Sequence, residues 1–288
     1  MNDLCSFFEE HFQVIIEFPG PMLEHTQRLR FRVYCIETRF EDPSKYPDGR
    51  ERDRYDNRSM HCLVRHKHTG IDVGTVRLVL PHNEDPLPIE AKCRPCFVDL
   101  FNDPSVARAS TAEPSRLLLA QQFRRRHSEF LSPTATGPEV QYDRRLVRDR
   151  RGQGNKHVSP MFERRHSMET RRMRPQGRRI LPHVFLILIR ATLEMSVMHR
   201  IEHWVAAMEP ALLRKLSRLG INFVPVGAPL FYGSRSRQPC RVHLPTMLNH
   251  LETYRTDVWE MITDRGRLHE GVKRYAVRQN WRADAEAG

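Results

Sequence analysis

Gly49-Arg50-Glu51-Arg52-Asp53-Arg54-Tyr55-Asp56 alternates acids and arginines without a lysine, and puts three carboxylates, Glu51, Asp53 and Asp56, within six residues. In a wet loop such charges need no partners. In a folded interior each needs one, because an unpaired buried charge is strongly destabilising. Matching arginines stand in apolar settings elsewhere: Arg30 in Leu29-Arg30-Phe31-Arg32-Val33-Tyr34, and Arg77 in Val73-Gly74-Thr75-Val76-Arg77-Leu78-Val79-Leu80. A third run opens with Glu113-Pro114-Ser115-Arg116-Leu117-Leu118-Leu119. An arginine inside a β-branched strand predicts a carboxylate beside it. The simplest assembly brings Arg30, Asp53, Asp56, Arg77, Glu113 and Arg116 together as the nearly neutral, charged floor of a cleft. The competing reading is a solvated loop at 49–56 with one edge-strand arginine.

The flanking sequence supplies elements to carry that floor. Phe12-Gln13-Val14-Ile15-Ile16-Glu17-Phe18 reads as a strand closed by Pro19-Gly20-Pro21. Met22, Leu29, Val33 and Ile36 recur at helical spacing over 22–37, so Arg30 and Tyr34 share one helix face. Residues 61–68 and 71–80 read as a hairpin, whose alternation puts Val73, Thr75, Arg77 and Val79 on one face. Residues 113–120 form a further strand. On a regular strand Glu113 and Arg116 would point to opposite faces; a bulge near Pro114, which cannot donate to the ladder, would bring them to one side. Downstream come a buried helix at 181–199, a strand at 201–208, a helix from Glu209-Pro210 to Gly220, and a strand at 222–226. A hairpin of 227–232 with 240–244 follows, then a tail helix with Met247, Leu251, Tyr254, Val258 and Met261 along one face. The mixture predicts one α/β domain over 1–250, interrupted by an insertion at 124–180, with 251–288 as a C-terminal helix and tail.

The net charge of +12 over 288 residues suggests an acidic partner until it is located: residues 124–179 hold sixteen Arg and Lys against six Asp and Glu. That segment alone carries +10, and the rest of the chain is close to neutral. It is open to docking an acidic protein or to lying solvated, and no nucleic-acid-reading module accompanies it. Six scattered cysteines predict a reducing, cytoplasmic setting. Cys93-Arg94-Pro95-Cys96 is a lone pair lacking the two further ligands of a zinc finger, so it reads as ordinary loop thiols and no metal is expected. The amino terminus shows no basic-then-apolar leader pattern. The most apolar run, Val184-Phe185-Leu186-Ile187-Leu188-Ile189, is far short of the ~20 residues of a membrane span. No integral membrane segment is expected, which leaves peripheral contact open.

As a set, these residues resemble the acyl-homoserine-lactone (autoinducer) synthase branch of the GNAT-like acyltransferases. That family's first half carries Arg-x-x-x-aromatic, an aromatic six further on, Glu-x-Asp-x-aromatic-Asp, an arginine in the next strand pair, and Glu-x-Ser-Arg. Here those positions are Arg30, Tyr34 and Phe40, then Glu51, Asp53 and Asp56, then Arg77, then Glu113, Ser115 and Arg116. A nearer likeness is to PEP-CTERM/exosortase-associated, N-acyl amino acid synthase-like acyltransferases. It rests on Tyr34-Cys35-Ile36-Glu37, Tyr46-Pro47-Asp48-Gly49, Gly74-Thr75-Val76-Arg77-Leu78 and Met208-Glu209-Pro210. The resemblance spans 12–124 and 181–250. It implies the GNAT-like (acyl-CoA N-acyltransferase) fold, a twisted mixed sheet with a bulged, splayed strand flanked by helices. It also implies a fatty acyl donor in the splay, transferred to a primary amine. Carried over, it makes Glu113, Arg116, Asp53 and Asp56 catalytic, and Arg30, Tyr34, Phe40, Glu51, Arg77 and Ser115 substrate-binding.

Amine attack on a thioester requires a neutral amine, a polarised carbonyl and a dry acyl slot. Backbone N–H groups freed by a bulge after Arg116 would polarise the carbonyl, and Glu113 would take the amine proton. Arg30, Arg77 or Arg116 would clamp an acceptor carboxylate. Phe185, Leu188, Trp204 and Phe223 are candidates for the wall of the slot, and Ala206 or Ala207 leaves room for a chain. Two departures from the family narrow the substrates. Many coenzyme A-using GNAT enzymes hold pyrophosphate on an Arg/Gln-x-x-Gly-x-Gly/Ala loop. Here that place reads Gln121-Gln122-Phe123-Arg124-Arg125-Arg126, without glycine, so an acyl carrier protein is the expected donor and partner, with no other cofactor. Phe40 stands where the autoinducer synthases usually have tryptophan, which turns the expected acceptor from S-adenosylmethionine toward an amino acid. The expected activity is N-acylation of an amino acid from an acyl carrier protein thioester. An acyl-homoserine-lactone synthase using S-adenosylmethionine is the runner-up. A noncatalytic basic adaptor, binding nucleic acid or an anionic membrane through 124–180, is the rival from another class.

Overall fold

The structure is a computed structural model that describes residues 4–121, 123, 181–232 and 235–286; the basic insertion at 124–180 lies outside them. Helix α1 (Leu4–His11) leads into β1 (Phe12–Glu17), and α2 (Leu23–Phe31) follows the Pro-Gly-Pro turn. The helix predicted over 22–37 changes winding after Phe31: Arg32–Glu37 is a π turn, in which the Thr38 N–H reaches the Val33 carbonyl at 3.0 Å. Such turns are rare and recur at functional sites.

The expected hairpin is β2 (Ser59–His66) with β3 (Asp72–Val79). Two short helices, α3 (Pro88–Lys92) and α4 (Arg94–Asn102), fill the proline-rich connection to β4 (Thr111–Leu119). The second half runs α5 (Leu181–Met198), β5 (His203–Met208), α6 (Pro210–Arg218), β6 (Val224–Pro225), β7 (Leu230–Tyr232) and β8 (Arg235–His243). Helices α7 (Leu244–Tyr254), α8 (Thr256–Thr263) and α9 (Arg267–Glu286) close the chain.

Among the described residues eight strands join one sheet in the order β1-β2-β3-β4-β5-β8-β6, with β7 also on β8. Every pair is antiparallel except β4–β5, which is parallel and holds at only two positions, Thr111↔His203 and Ala112↔Trp204. Beyond those two pairs the strands part, and the middle of the sheet opens. Helix α5 is apolar on most faces and packs across β2, β3 and β4, as a helix without a polar face must be covered. The core is continuous from Cys5 and Phe8 of α1, through Val76 and Leu78, to Leu251, Val258, Met261, Leu268 and Val272 of α7–α9. A smaller cluster of Val79, Ile89, Phe97 and Leu100 lies under α3 and α4.

Several expectations change. The tail helix over 247–261 is two helices, broken at Arg255 (φ −144°, ψ 57°), and Tyr254 is 70% exposed instead of sharing the apolar face. The strand at 222–226 shrinks to Val224–Pro225, since Pro225 has no N–H to donate. Strand β8 starts at Arg235, five residues before the hairpin arm read from sequence. Cys93, buried where α3 meets α4, is disulfide-bonded and not a free loop thiol; the side chain of Cys96 lies outside the described residues. Helix α7 runs across residue 250, and Leu251, Val258, Met261, Leu268, Val272 and Tyr275 beyond it belong to the core. Among the described residues no helix is long and apolar enough to cross a membrane.

Candidate active site

The charged stretch at 49–56 lies on α2 and β3, fixed by the Glu51 N–H to the Gln27 carbonyl at 3.2 Å. Arg30, on α2, is fully buried. Its Nε donates to Glu51 Oε2, Nη1 to Asp56 Oδ1 at 2.8 Å, and Nη2 to the Glu51 carbonyl at 2.7 Å and Asp56 Oδ2 at 3.0 Å. Arg77, on β3, donates through Nη1 to Asp53 and Asp56 at 2.5 and 2.6 Å, through Nη2 to Asp53 at 3.1 Å, and through Nε to Ser115 Oγ at 3.1 Å. Arg116, on β4, holds Glu51 Oε1 at 2.7 Å and Asp53 Oδ2 at 2.9 Å. Three guanidinium groups thus meet three carboxylates, and the floor is formally neutral. Its buried charges are tolerated because the network is nearly complete.

Burial by itself would raise Glu51, Asp53 and Asp56, but the arginines more than offset it and hold all three below the ordinary carboxylate range. His61, at the edge of the strand read over 61–68, is buried within β2, where its Nε2–H donates to the Asp56 carbonyl at 2.9 Å. Burial pushes its pKa down to about 4, so the ring is neutral.

Glu113 is not part of this floor, and Glu51 takes the place predicted for it. The bulge falls at Arg116 and Leu117, which together stand opposite Val76 in the β3–β4 register. Arg116 adopts φ 54°, the left-handed region, which brings its side chain over Glu51 and Asp53. Glu113 lies before the bulge and accepts the Ile89 N–H of α3 at 2.7 Å. Arg77 and Arg116 act on it only at a distance, so burial prevails and its pKa rises to about 7.

Where β4 and β5 part there is a cavity of about 240 Å³, walled by Leu117, Phe185, Ile189, Trp204, Ala206, Ala207 and Phe223 and reaching Tyr34, Ser115 and Arg116. Trp204 is fixed by its Nε1–H to Ser196 Oγ at 2.8 Å. Leu188, expected on this wall, packs beneath Gly74 of β3. A second opening of about 280 Å³ shares Tyr34, Leu117, Phe185, Glu209 and Arg237 with the first and adds Thr38, Phe40 and Lys215. Tyr34 and Phe40 lie 5.8 Å apart between ring centroids. Arg116 stands 5.9 Å over Tyr34, and Arg237 5.1 Å over Phe40.

Exposure sorts the predicted residues. Arg30, Arg77, Glu51 and Asp56 side chains are at most 3% exposed and committed to one another, so none of them clamps a substrate carboxylate. Arg116 and Asp53, each 26% exposed, are the members of the floor that face the cleft. Sequence reasoning missed Arg237 and Glu209, whose side chains meet at 3.5 Å on the rim. Arg237 was hidden because the strand bearing it was read as starting at 240.

The acetyltransferase (GNAT) domain description matches residues 29–132, a span that starts within α2 and ends beyond β4. No curated protein sequence matches the chain. Among solved structures, TofI in a ternary complex with an inhibitor and MTA superposes with a TM-score of 0.51 at 17% identity, over 83% of this chain and 96% of that one. BjaI, a CoA-dependent acyl-homoserine lactone synthase with SAM and isopentyl-CoA, gives 0.51 at 17% identity over 93% and 99%. FeeM, an N-acyl amino acid synthase from uncultured soil microbes, gives 0.46 at 11% identity over 84% and 97%. The chain thus has a GNAT-like fold, with a bulged strand and a parted sheet, that the acyl-homoserine lactone synthase BjaI shares, and its residues 29–132 match the acetyltransferase (GNAT) domain.

Proposed function

We propose that the protein is an N-acyltransferase that moves a fatty acyl group from an acyl carrier protein thioester to the amine of an amino acid. The observation that carries this reading is the parting of β4 from β5 beside a bulged arginine. An apolar cavity enters the sheet there and ends at Tyr34 and Arg116. An acyl chain along Phe185, Trp204 and Ala206 sets the thioester carbonyl at Arg116–Leu117, where the bulge interrupts the register. The amine nitrogen attacks that carbonyl carbon, the C–N bond forms, and the C–S bond breaks to release the thiol. Glu113, poised near neutrality, accepts the amine proton through water. Arg116, held over the cleft by Glu51 and Asp53, offers its remaining Nη1 to the acceptor carboxylate.

The donor reading rests on one contact. The Gln121 N–H, at the place where coenzyme A-using relatives of the fold bind pyrophosphate, is taken by Glu37 Oε2 at 2.9 Å. A carboxylate there repels a second anion. Purified protein given a long-chain acyl carrier protein thioester or the matching acyl-coenzyme A, with mixed amino acids, separates the possibilities by mass spectrometry. N-acyl amino acids from the carrier-bound donor are expected. Product from coenzyme A alone overturns the donor assignment, homoserine lactones formed with S-adenosylmethionine overturn the acceptor, and no product from folded protein overturns both.

A further inference from the structure

Outside the acyl cavity, β5 and β8 bring together three metal-ligating groups to which the proposed transfer assigns no role. His203 and His243 are direct partners in the β5–β8 register, with rings stacked at 4.8 Å between centroids. Glu202 precedes them, and one donor atom from each of the three lies within 4.8 Å of the others. Two of these side chains are buried with an atom left over: Glu202 is 9% and His203 2% exposed, and Glu202 Oε1 and His203 Nδ1 have no hydrogen-bond partner. Buried polar atoms without partners are destabilising and call for an explanation.

The surrounding contacts suit a ligand set. His203 Nε2–H donates to the Ser105 carbonyl at 3.1 Å, which leaves Nδ1 as a lone-pair donor. His243 meets Thr246 Oγ1 through Nδ1 at 2.7 Å, which leaves Nε2. Metal-bound histidines are commonly oriented by such outer contacts. Arg241, two residues before His243 on β8, is paired with Asp103 at 3.7 Å, so its charge is offset beside the site. Both histidines line a cavity of about 530 Å³ that shares no lining residue with the acyl cavity, so a further coordination position opens to water or a small molecule.

We propose that Glu202, His203 and His243 bind one divalent transition-metal ion of the zinc class at the β5–β8 seam. Two imidazoles and a carboxylate are a zinc donor set, and bond lengths of about 2.0–2.2 Å require the three side chains to close on the ion by small rotations. The site is independent of the acyltransferase reading.

The test uses the whole protein, stripped with a chelator and titrated with Zn²⁺, read by metal content and melting temperature. One equivalent bound per chain, with a rise in melting temperature, is expected. Glu202→Gln and His243→Ala should abolish both effects, and the exposed Thr246→Val should weaken binding by about 10–100-fold. No bound zinc in the folded intact protein, or equal affinity in the intact chain and folded variants, overturns the proposal.

Discussion

Asp56 accepts hydrogen bonds from Arg30, Arg77 and Gln27 and is 2% exposed, which makes it the pivot of the charged floor. Removing one partner of a buried ion network leaves the others charged and unpaired, a loss of about 3–5 kcal/mol. Asp56→Ala should show a loss of that size in urea unfolding, a larger effect than any change in substrate binding. Glu113 titrates in the opposite sense. Its folded pKa, about 7, lies above the ordinary 4.5, so the folded chain holds a proton that the unfolded chain has released. Its contribution is fully present below the unfolded pKa and is lost as pH rises toward 7, by an amount on the order of 3 kcal/mol. Glu113→Gln should therefore raise the melting temperature at pH 8, leave it unchanged at pH 4, and abolish the limb of the rate profile that rises near pH 7. At this scale Arg77 was legible, because a charge between valines and leucines demands a partner. That α3 would offer Glu113 a backbone N–H was not, because Leu87-Pro88-Ile89 reveals no neighbour until the chain is folded.

The central element is β4, whose bulge sets Arg116 at φ 54° and separates the strand from β5. Pro114 signalled irregularity, but the extra residue lies at Arg116–Leu117, opposite Val76. Gly74 lies on the neighbouring strand; a Cβ there would meet Leu119 Cδ2 at 2.7 Å and the Leu118 carbonyl at 2.8 Å. A backbone oxygen cannot step aside, so Gly74→Ala should destabilise by about 1–3 kcal/mol in thermal or urea unfolding. On the other side of the opening, Ala206→Phe would fill much of the acyl cavity. Its expected signature is a shift of the product to shorter chains, read by mass spectrometry, with transfer of short acyl groups retained. The π turn after α2 and the break at Arg255 both escaped the sequence, the second because it answers to a partner far along the chain. Arg255 donates through Nη1 to the Arg218 carbonyl at 2.6 Å.

Across the whole molecule, the helices beyond residue 250 are part of the core that supports the sheet: Leu251, Val258, Ile262, Leu268 and Val272 are at most 2% exposed. Each such side chain contributes about 1.5–3 kcal/mol, and a domain's net stability is about 5–15 kcal/mol. A chain ending at residue 250 should therefore fail to fold, as judged by circular dichroism of the purified product. The order of strands and helices was legible because hydrophobic periodicity survives in each. The continuity of the core was not, because periodicity names an apolar face without naming what covers it. Acyl transfer is the activity proposed for this fold. The most direct test is mass spectrometry of lipid extracts from cells expressing the intact protein beside its Glu113→Gln variant. N-acyl amino acids abundant with the intact chain and strongly reduced with the variant are expected. Their absence, with the intact protein soluble and folded, would contradict it.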